Sequence, residues 1–248
     1  MIVLTLAERP DLEDRLDEIG DPWPEFIHHG DVPDVYWDRL STDFPEYQLA
    51  LYDEEQDVLA GKGNTIPVAW DGTLAGLSGG VDDALAQGVA LRERGGSPNT
   101  LCAVVAVVDP GRQGEGLSGL IIEGMRSTAA RHGLGDLIAP VRPTWKSRYP
   151  LTPMERYVRW RRDDGLPFDP WIRLHVRLGG EILAVCLESL VVTGTVAEWE
   201  GWTGLAFPES GDYVVEGGLV PVTIDRARDV GRYADPNLWM RHRAAMSA

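Results

Sequence analysis

Two glycines, Gly114 and Gly116, lie in a short polar loop between an apolar run and a helical pattern. The run at 101–108 is apolar and rich in valine, which is typical of a strand covered on both faces. From Leu117 onward the apolar residues follow helical spacing. A helix N-terminus presents unpaired backbone N–H groups and a favourable dipole to phosphate. The pattern predicts a loop that binds phosphate or pyrophosphate; a glycine-rich turn without a ligand is the alternative.

Two familiar phosphate loops do not fit this segment. The dinucleotide motif G-x-G-x-x-G is out of register, because Gly114-Glu115-Gly116 is followed by Ser118-Gly119, and the Gly-Lys-Ser/Thr ending of the NTPase loop is missing from the sequence. The run Gln113-Gly114-Glu115-Gly116-Leu117-Ser118, preceded by Asp-Pro, resembles the acyl-CoA pyrophosphate loop Q/R-x-x-G-x-G/A of the GNAT acyltransferase superfamily.

A second segment, IRLHVRLGGEI at 172–182, is similar to the fourth helix of that superfamily and its exit. The periodicity and the resemblance together predict an order of elements along the chain. Strands are expected at 2–6, 47–52, 58–70, 101–108, 136–141, 182–192 and 213–224, and helices at 12–19, 35–40, after 117, at 154–162 and from 172.

The resemblance implies an α/β (α+β) fold with a mixed central sheet that is splayed at the acyl-CoA site and has helices on both faces. We expect a single domain over residues 1–248. Two segments exceed the common layout of the family: a basic and aromatic insertion at 142–169, and a long connection at 198–211 that would cover the acceptor pocket or form a dimer contact. The segment from Asp235 to Trp239 is expected to be a docked tail.

In this superfamily an amine attacks a thioester directly, and the pantetheine arm pairs with the motif strand like an additional strand. By register, the resemblance assigns that pairing to Ala106 and Val108, and an oxyanion-binding N–H to Val107 or Val108. The pyrophosphate would be bound by the N–H groups of Gln113, Gly114, Glu115, Gly116, Leu117 and Ser118. Glu115 departs from the family pattern, since many relatives have a basic residue there.

The fourth helix of the superfamily carries a tyrosine that protonates the leaving thiolate. Matching the second segment, 172–182, to the fourth-helix motif of the superfamily places His175 at the position of that tyrosine. An imidazole can act as an acid because its ordinary pKa is about 6.5. Tyr149 and Tyr157 are alternative donors, and a structural helix residue is the alternative for His175. The candidates for the general base are Glu155, Asp169 and Glu188, or a water chain.

Charge is distributed unevenly along the chain. The formal net charge is −16, and residues 1–57 contain 17 Asp and Glu against three Arg. Such a surface is a poor partner for nucleic acid, which needs clustered Lys and Arg. Because this region borders the acceptor entrance in the superfamily, its negative field would attract a cationic amine. Simple solubility of a surface is the alternative.

The insertion at 142–169 and the helix after it are basic and aromatic, with nine Lys and Arg between 142 and 177. Such a segment could hold the 3′-phosphate of CoA or the acidic face of an acyl carrier protein. Packing of its aromatic residues on the sheet edge is the structural alternative.

Cofactors other than acyl-CoA are not expected. The two cysteines, Cys102 and Cys186, lie in apolar patterns and lack metal-ligand spacing, so neither a disulfide framework nor a metal site is predicted. No apolar run reaches the length of a membrane span, and the N-terminal sequence does not resemble a signal peptide, which predicts a cytoplasmic protein.

The residues and the resemblance together predict an N-acyltransferase that moves an acyl group, expected to be acetyl, from acyl-CoA to a primary amine of a small metabolite. One alternative takes the acyl group from the phosphopantetheine of a carrier protein. A second is a catalytically silent acyl-CoA sensor, motivated by the missing tyrosine and glutamate. The sequence leaves the acceptor, the acyl length and the oligomeric state open.

Overall fold

The computed structural model describes residues 1–32 and 34–244. Nine strands within these residues form one mixed sheet, in the order β1-β2-β3-β4-β5-β9-β8-β7, with β6 pairing along β9. Every pairing is antiparallel except that between β4 and β5. The strands are β1 (Ile2–Thr5), β2 (Leu49–Asp53), β3 (Val58–Val68), β4 (Thr100–Val108), β5 (Asp136–Val141), β6 (Glu181–Gly194), β7 (Gly211–Tyr213), β8 (Val222–Asp225) and β9 (Val230–Arg243).

Six α-helices accompany this sheet in the described part of the chain. They are α1 (Asp34–Asp43), α2 (Val81–Glu93), α3 (Leu117–Arg131), α4 (Met154–Tyr157), α5 (Pro170–Arg177) and α6 (Val196–Thr203). Helix α3 packs closely on β3, because a Cβ at Gly63 would lie 2.6 Å from the Met125 methyl group. The other side of the same strands is covered by a 3-10 helix, Pro10–Glu18, which contributes Leu12 to a separate core cluster.

The predicted splay of the sheet is confirmed between β4 and β5. These strands pair over three residues of each, from Thr100–Asp136 to Cys102–Ile138, and then diverge. Strand β4 runs on to Val108 and β5 to Val141, so each has an edge that faces the other across a gap. A parallel pair that separates in this way leaves backbone groups available to an extended ligand.

The strands predicted for the C-terminal region were wrong. A long strand was expected at 213–224, but that region contains only the short strands β7 and β8, which pair as a hairpin. The long final strand is β9, and the expected docked tail from Asp235 to Trp239 lies inside it, between β5 and β6. Pro236 is tolerated there because it lies at the register break between Cys186 and Leu190 of β6, where the ladder is already interrupted.

The helix predictions also need correction. Helix α2 was not predicted, and the expected helix at 12–19 is a 3-10 helix. The helix expected at 154–162 is a single turn, α4. The connection at 198–211 begins inside α6, from its third residue, and its Trp199 and Phe207 pack with Phe26 and Tyr233 in a core of their own. It therefore fills the space beneath β8 and β9 instead of covering a pocket.

The insertion at 142–169 folds around its own aromatic residues. Tyr149, Tyr157, Trp160 and Phe168 meet edge-on or tilted, with ring centroids 4.9 to 6.3 Å apart. Asp169 ties this cluster to α5, since its carboxylate accepts the Tyr157 hydroxyl at 2.8 Å and caps the Trp171 amide at 2.9 Å. Among the residues described, no helix is both long and apolar enough to cross a bilayer.

Candidate active site

The loop between β4 and α3 is open. Gly114 and Gly116 adopt φ angles of +90° and +80°, and a Cβ at either position would meet nothing within 4 Å. Within residues 1–32 and 34–244, no acceptor is hydrogen-bonded to the backbone N–H groups of Gln113, Gly114, Glu115, Gly116, Leu117 or Ser118. Six free donors before and at the start of a 15-residue helix are the kind of arrangement that suits an anion.

Glu115, which lies in this loop, forms an ion pair with a neighbouring arginine. Its carboxylate accepts Nη2 of Arg112 at 2.8 Å, and Nη1 of Arg112 lies 3.2 Å from Asp53. Asp109 fixes the preceding turn by accepting the Gly111 amide at 2.8 Å. Arg112 thus offsets part of the negative charge of Glu115 beside the loop, because it is shared with Asp53.

Strand β4 turns alternate backbone groups toward the gap. The Asp109 N–H donates to Ala60 of β3 at 3.0 Å, and the Val107 carbonyl lies against Gly61 of the same strand. Because successive peptide groups of a strand point to opposite edges, Ala106 and Val108 face β5. The sequence-derived pairing positions Ala106 and Val108 therefore lie on the free edge, whereas Val107 directs its backbone to β3.

The gap opens into a cavity of about 890 Å³ that runs from the loop to the middle of the sheet. One wall is β4 from Ala103 to Val108, and Gln113, Gly114 and Ser118 line the loop end. The opposite wall comes from β5, the first residues of the insertion, and Trp171 and His175 of α5. The cavity thus joins an anion-binding loop, a free strand edge and a deeper chamber, as an acyl-CoA and its acceptor require.

The deeper chamber is lined by aromatic residues and carboxylates, including Trp23, Trp37, Asp82 and Asp235. Asp82 lies in the first turn of α2 and accepts the Val191 amide of β6 at 3.0 Å. Burial and the nearby Asp31 and Asp235 raise the pKa of Asp82 to about 6. No Lys, Arg or His side chain of the described residues forms an ion pair with it. Asp82 therefore offers an unneutralised negative charge to the chamber.

Asp235, by contrast, is neutralised by the first arginine of the insertion. Nε of Arg142 lies 3.0 Å from its carboxylate, and Tyr233 and Asn237 also donate to it. Arg142 donates a further bond to Gly217 at 2.9 Å. Two more basic residues expected to meet phosphate, Lys146 and Arg173, are buried and donate to backbone carbonyls of the chain itself. These three cations are structural.

His175 lies in the cavity wall as the register predicts, but in an environment that keeps it neutral. It is 4% exposed, and its Nδ1 lies 2.9 Å from Nε2 of His242. Burial and His242 lower the pKa of His175 to about 3. A neutral imidazole cannot give up a proton at neutral pH without becoming an anion, so the geometry favours a hydrogen-bonding role over that of an acid.

The other candidates for proton transfer lie outside the cavity wall. Tyr157 is bonded to Asp169, and burial raises its pKa. The Asp169 carboxylate is committed to capping α5 and to the Trp145 amide, while Glu188 pairs with Arg232 on the surface. None of these three side chains lines the cavity, and neither do those of the remaining candidates, Tyr149 and Glu155.

Sequence reasoning missed Asp82, Asp235 and His242. Asp82 belongs to the helix that was not predicted. Asp235 lies in the segment that was expected to be a tail, and His242 lies beyond that segment, near the end of the unpredicted strand β9. The one available signal was the alternation of polar residues at 233, 235 and 237, which is typical of a strand with one polar face.

Comparison with known proteins agrees with this geometry. No family model matches the chain. The arginine N-acetyltransferase avaD of Aspergillus versicolor is 32% identical over 270 residues, covering 96% of this chain and 92% of that protein. Two solved structures share the fold. The loading GNATL domain of CurA from Lyngbya majuscula is 15% identical, with 98% of this chain and 97% of that chain covered and a TM-score of 0.57. The GphF GNAT-like decarboxylase in complex with isobutyryl-CoA is 17% identical, with 99% of this chain and 100% of that chain covered and a TM-score of 0.59. The chain is an N-acyltransferase and belongs to the GNAT superfamily.

Proposed function

We propose that this enzyme transfers an acetyl group from acetyl-CoA to a primary amine of a small, cationic metabolite. The binding of acetyl-CoA, the donor half of this proposal, is supported by the gap between β4 and β5. This gap leads without interruption into the loop with six free N–H groups. The pantetheine arm would pair with Ala106 and Val108, and the pyrophosphate would accept the loop amides, from Gln113 to Ser118.

The donor half is tested by filling the loop. Gly114→Ala places a methyl group at a positive φ, in space that the pyrophosphate would occupy, and we expect the KM for acetyl-CoA to rise about tenfold, or ~1.4 kcal/mol of binding. Gly165→Ala is the matched control, because Gly165 has a φ of +78° and open space but lies in a turn of the insertion. Equal KM values in the two variants would contradict the proposed pyrophosphate site.

The acceptor half rests on the charge of the deeper chamber. Asp82 lacks a cationic partner, and Trp23 and Trp37 give the same chamber flat aromatic surfaces. A guanidinium or ammonium group would neutralise Asp82 and pack against these rings. The relative avaD is an arginine N-acetyltransferase. We therefore propose arginine, or a small molecule that carries an arginine side chain, as the acceptor.

A thiol-release assay with acetyl-CoA tests this acceptor class. Arginine and norleucine share an α-amine, but only arginine has a cationic side chain, so we expect arginine to turn over with the higher kcat/KM. An arginine-containing dipeptide with a blocked α-amine shows whether the guanidine nitrogen is acylated instead. Equal turnover of arginine and norleucine would refute a cationic acceptor, and no turnover of any amine would favour a silent sensor.

A carrier-protein thioester remains a second candidate for the donor. The insertion contributes Trp145 and Ser147 to the cavity wall, and it exposes several arginines, namely Arg148, Arg156, Arg159, Arg161 and Arg162. An acidic carrier protein would be attracted to this surface. The double variant Arg156→Glu/Arg159→Glu should then lose activity with an acetylated carrier at 50 mM salt and keep its activity with acetyl-CoA.

A further inference from the structure

The basic side chains of the cavity wall, among the described residues, carry no positive charge that is left for a ligand. Arg142 lines the cavity, and its Nε lies 3.0 Å from the Asp235 carboxylate. His28 also lines the cavity, and its Nε2 lies 2.9 Å from Asp21. His175 is neutral at physiological pH, because burial lowers its pKa to about 3. A carboxylate on a bound ligand would therefore lack an unpaired cation in this wall.

Two polar side chains of the same wall each keep one oxygen without a donor. Oδ2 of Asp82 accepts the Val191 amide at 3.0 Å, and no donor of the described residues bonds to Oδ1. Asn237 is 3% exposed and lines the cavity beside Asp235. Its Nδ2 donates to Asp235 at 2.8 Å, and within residues 1–32 and 34–244 its Oδ1 has no donor.

The orientation of the Asn237 amide is fixed by this contact. An ionised carboxylate only accepts hydrogen bonds, so the amide must turn its NH2 group to Asp235. Arg142 and Tyr233 also donate to Asp235, which keeps that carboxylate charged and in place. The Oδ1 of Asn237 is consequently directed away from Asp235 and is available to a ligand that lies in the cavity.

The two free oxygens select the chemistry of a ligand. A guanidinium has five N–H donors in a rigid plane and no acceptor, so it can bond to both oxygens and neutralise Asp82. An α-carboxylate would bring further acceptors and a negative charge into a wall where Asp82 is already an unpaired negative charge. Repulsion between the two carboxylates, in a partly desolvated cavity, weakens the binding of such a ligand.

We propose that the acceptor is a guanidinium compound without a free carboxylate, such as an arginine whose carboxyl group is an amide or is absent, and that Oδ1 of Asp82 and Oδ1 of Asn237 accept its N–H groups. This inference rests on the proposed acyl transfer and narrows its acceptor class. The charge of the N-terminal region agrees with it, since residues 1–57 contain 17 Asp and Glu against three Arg. That field attracts a compound with two positive charges more strongly than it attracts arginine.

A binding measurement with free CoA tests the proposal without turnover. Agmatine, which is decarboxylated arginine, and argininamide both keep the guanidinium and lack the carboxylate. At equal concentrations, with CoA present, we expect each of them to raise the melting temperature of the enzyme more than arginine does. An equal or larger shift with arginine would overturn the proposal. It would point instead to Arg148, whose guanidinium lies 4.8 Å from the ring centroid of Trp145, as a partner for the carboxylate.

Thiol release from acetyl-CoA gives the second readout. We expect kcat/KM for agmatine and for argininamide to exceed that for arginine by about tenfold. The α-amine of argininamide is more acidic than that of arginine, whereas the amine of agmatine is not. A rise that is confined to argininamide would therefore reflect amine acidity and overturn the proposal. If both compounds bind but no amine is acetylated, the proposed acyl transfer fails, while the selectivity of the cavity stands.

Two variants assign the preference to the named oxygens. Asp82→Asn removes the charge that repels a carboxylate, so the ratio of kcat/KM for argininamide to that for arginine should fall to within about threefold. The exposed control Asp38→Asn should keep the parent ratio. Asn237→Leu removes Oδ1 at similar size, and we expect the KM for agmatine to rise about tenfold with an unchanged KM for acetyl-CoA. A folded variant that keeps the parent values would refute the role of its oxygen; where a variant does not fold, the comparison of ligands on the parent enzyme decides.

Discussion

The variant Asp82→Asn should change the stability of the fold and the binding of the acceptor in the deeper chamber in opposite directions. The asparagine Oδ1 can still accept the Val191 amide that Asp82 accepts at 3.0 Å, so the change removes charge with little change of shape. Burial and two nearby carboxylates raise the pKa of Asp82 from 3.8 to about 6. The folded chain therefore binds this proton more tightly than the unfolded chain does.

The sign of the pH effect follows from that difference. Protonation of Asp82 favours the folded state; this contribution is complete below pH 3.8 and is lost as the pH rises through 6. A shift of two pKa units corresponds to about 3 kcal/mol, and partial exposure of the side chain reduces this to ~1–1.5 kcal/mol. At pH 8, Asp82→Asn should raise the melting temperature by about 3–5 °C, and at pH 4 by almost nothing.

Activity should change in the opposite direction. We expect the KM for arginine at pH 8 to rise about tenfold in Asp82→Asn, and the difference to shrink below pH 6, where the parent carboxylate is protonated. Asp38→Asn, which removes an exposed charge on α1, is the control. Thermal unfolding and initial rates across pH 4 to 8 provide both readouts. A variant that is not more stable at pH 8, or a KM difference independent of pH, would refute this reasoning.

Three further predictions concern other parts of the molecule. Acetyl-CoA at 100 times its Kd should stabilise the fold by about 2.7 kcal/mol, seen as a higher melting temperature, and an unchanged value would argue against binding. Arg142→Met should lower the free energy of unfolding, measured in urea, by about 3 kcal/mol, because it leaves the Asp235 carboxylate without its cationic partner. A decrease of less than about 1 kcal/mol would contradict that expectation. Iodoacetamide should label Cys186 before Cys102, since burial raises the pKa of the Cys102 thiol and shields it, and peptide mass mapping gives the order.

The donor side of the site could be predicted from sequence because its signals are local. The strand, the Asp-Pro turn, the two glycines and the helix all lie between residues 100 and 131. Gly114 and Gly116 have positive φ angles, as loop glycines of this kind require. Backbone amides that bind an anion need only this local geometry, so one segment was sufficient.

The acceptor side could not be predicted, since it is assembled from distant segments. Helix α2 buries one face, but that face includes Ala84 and Gly88, and alanines also occupy the other face, at Ala86 and Ala90, so the apolar stripe that indicates a helix is weak in its sequence. Strand β9 contains Pro236, a residue that strands tolerate at edges or breaks in pairing, and the register break of β6 that accommodates it lies in a distant segment. The residues these elements carry into the cavity were missed with them.

Strand β9 also has a consequence for how the chain folds during synthesis. It lies between β5 and β6, which do not pair with one another in the described sheet. Until residues 230–243 leave the ribosome, both strands have an open edge that can recruit another nascent chain. The earlier 229 residues are thus held as an incomplete sheet, and a stalled or shortened translation product would be a candidate for chaperone binding or aggregation.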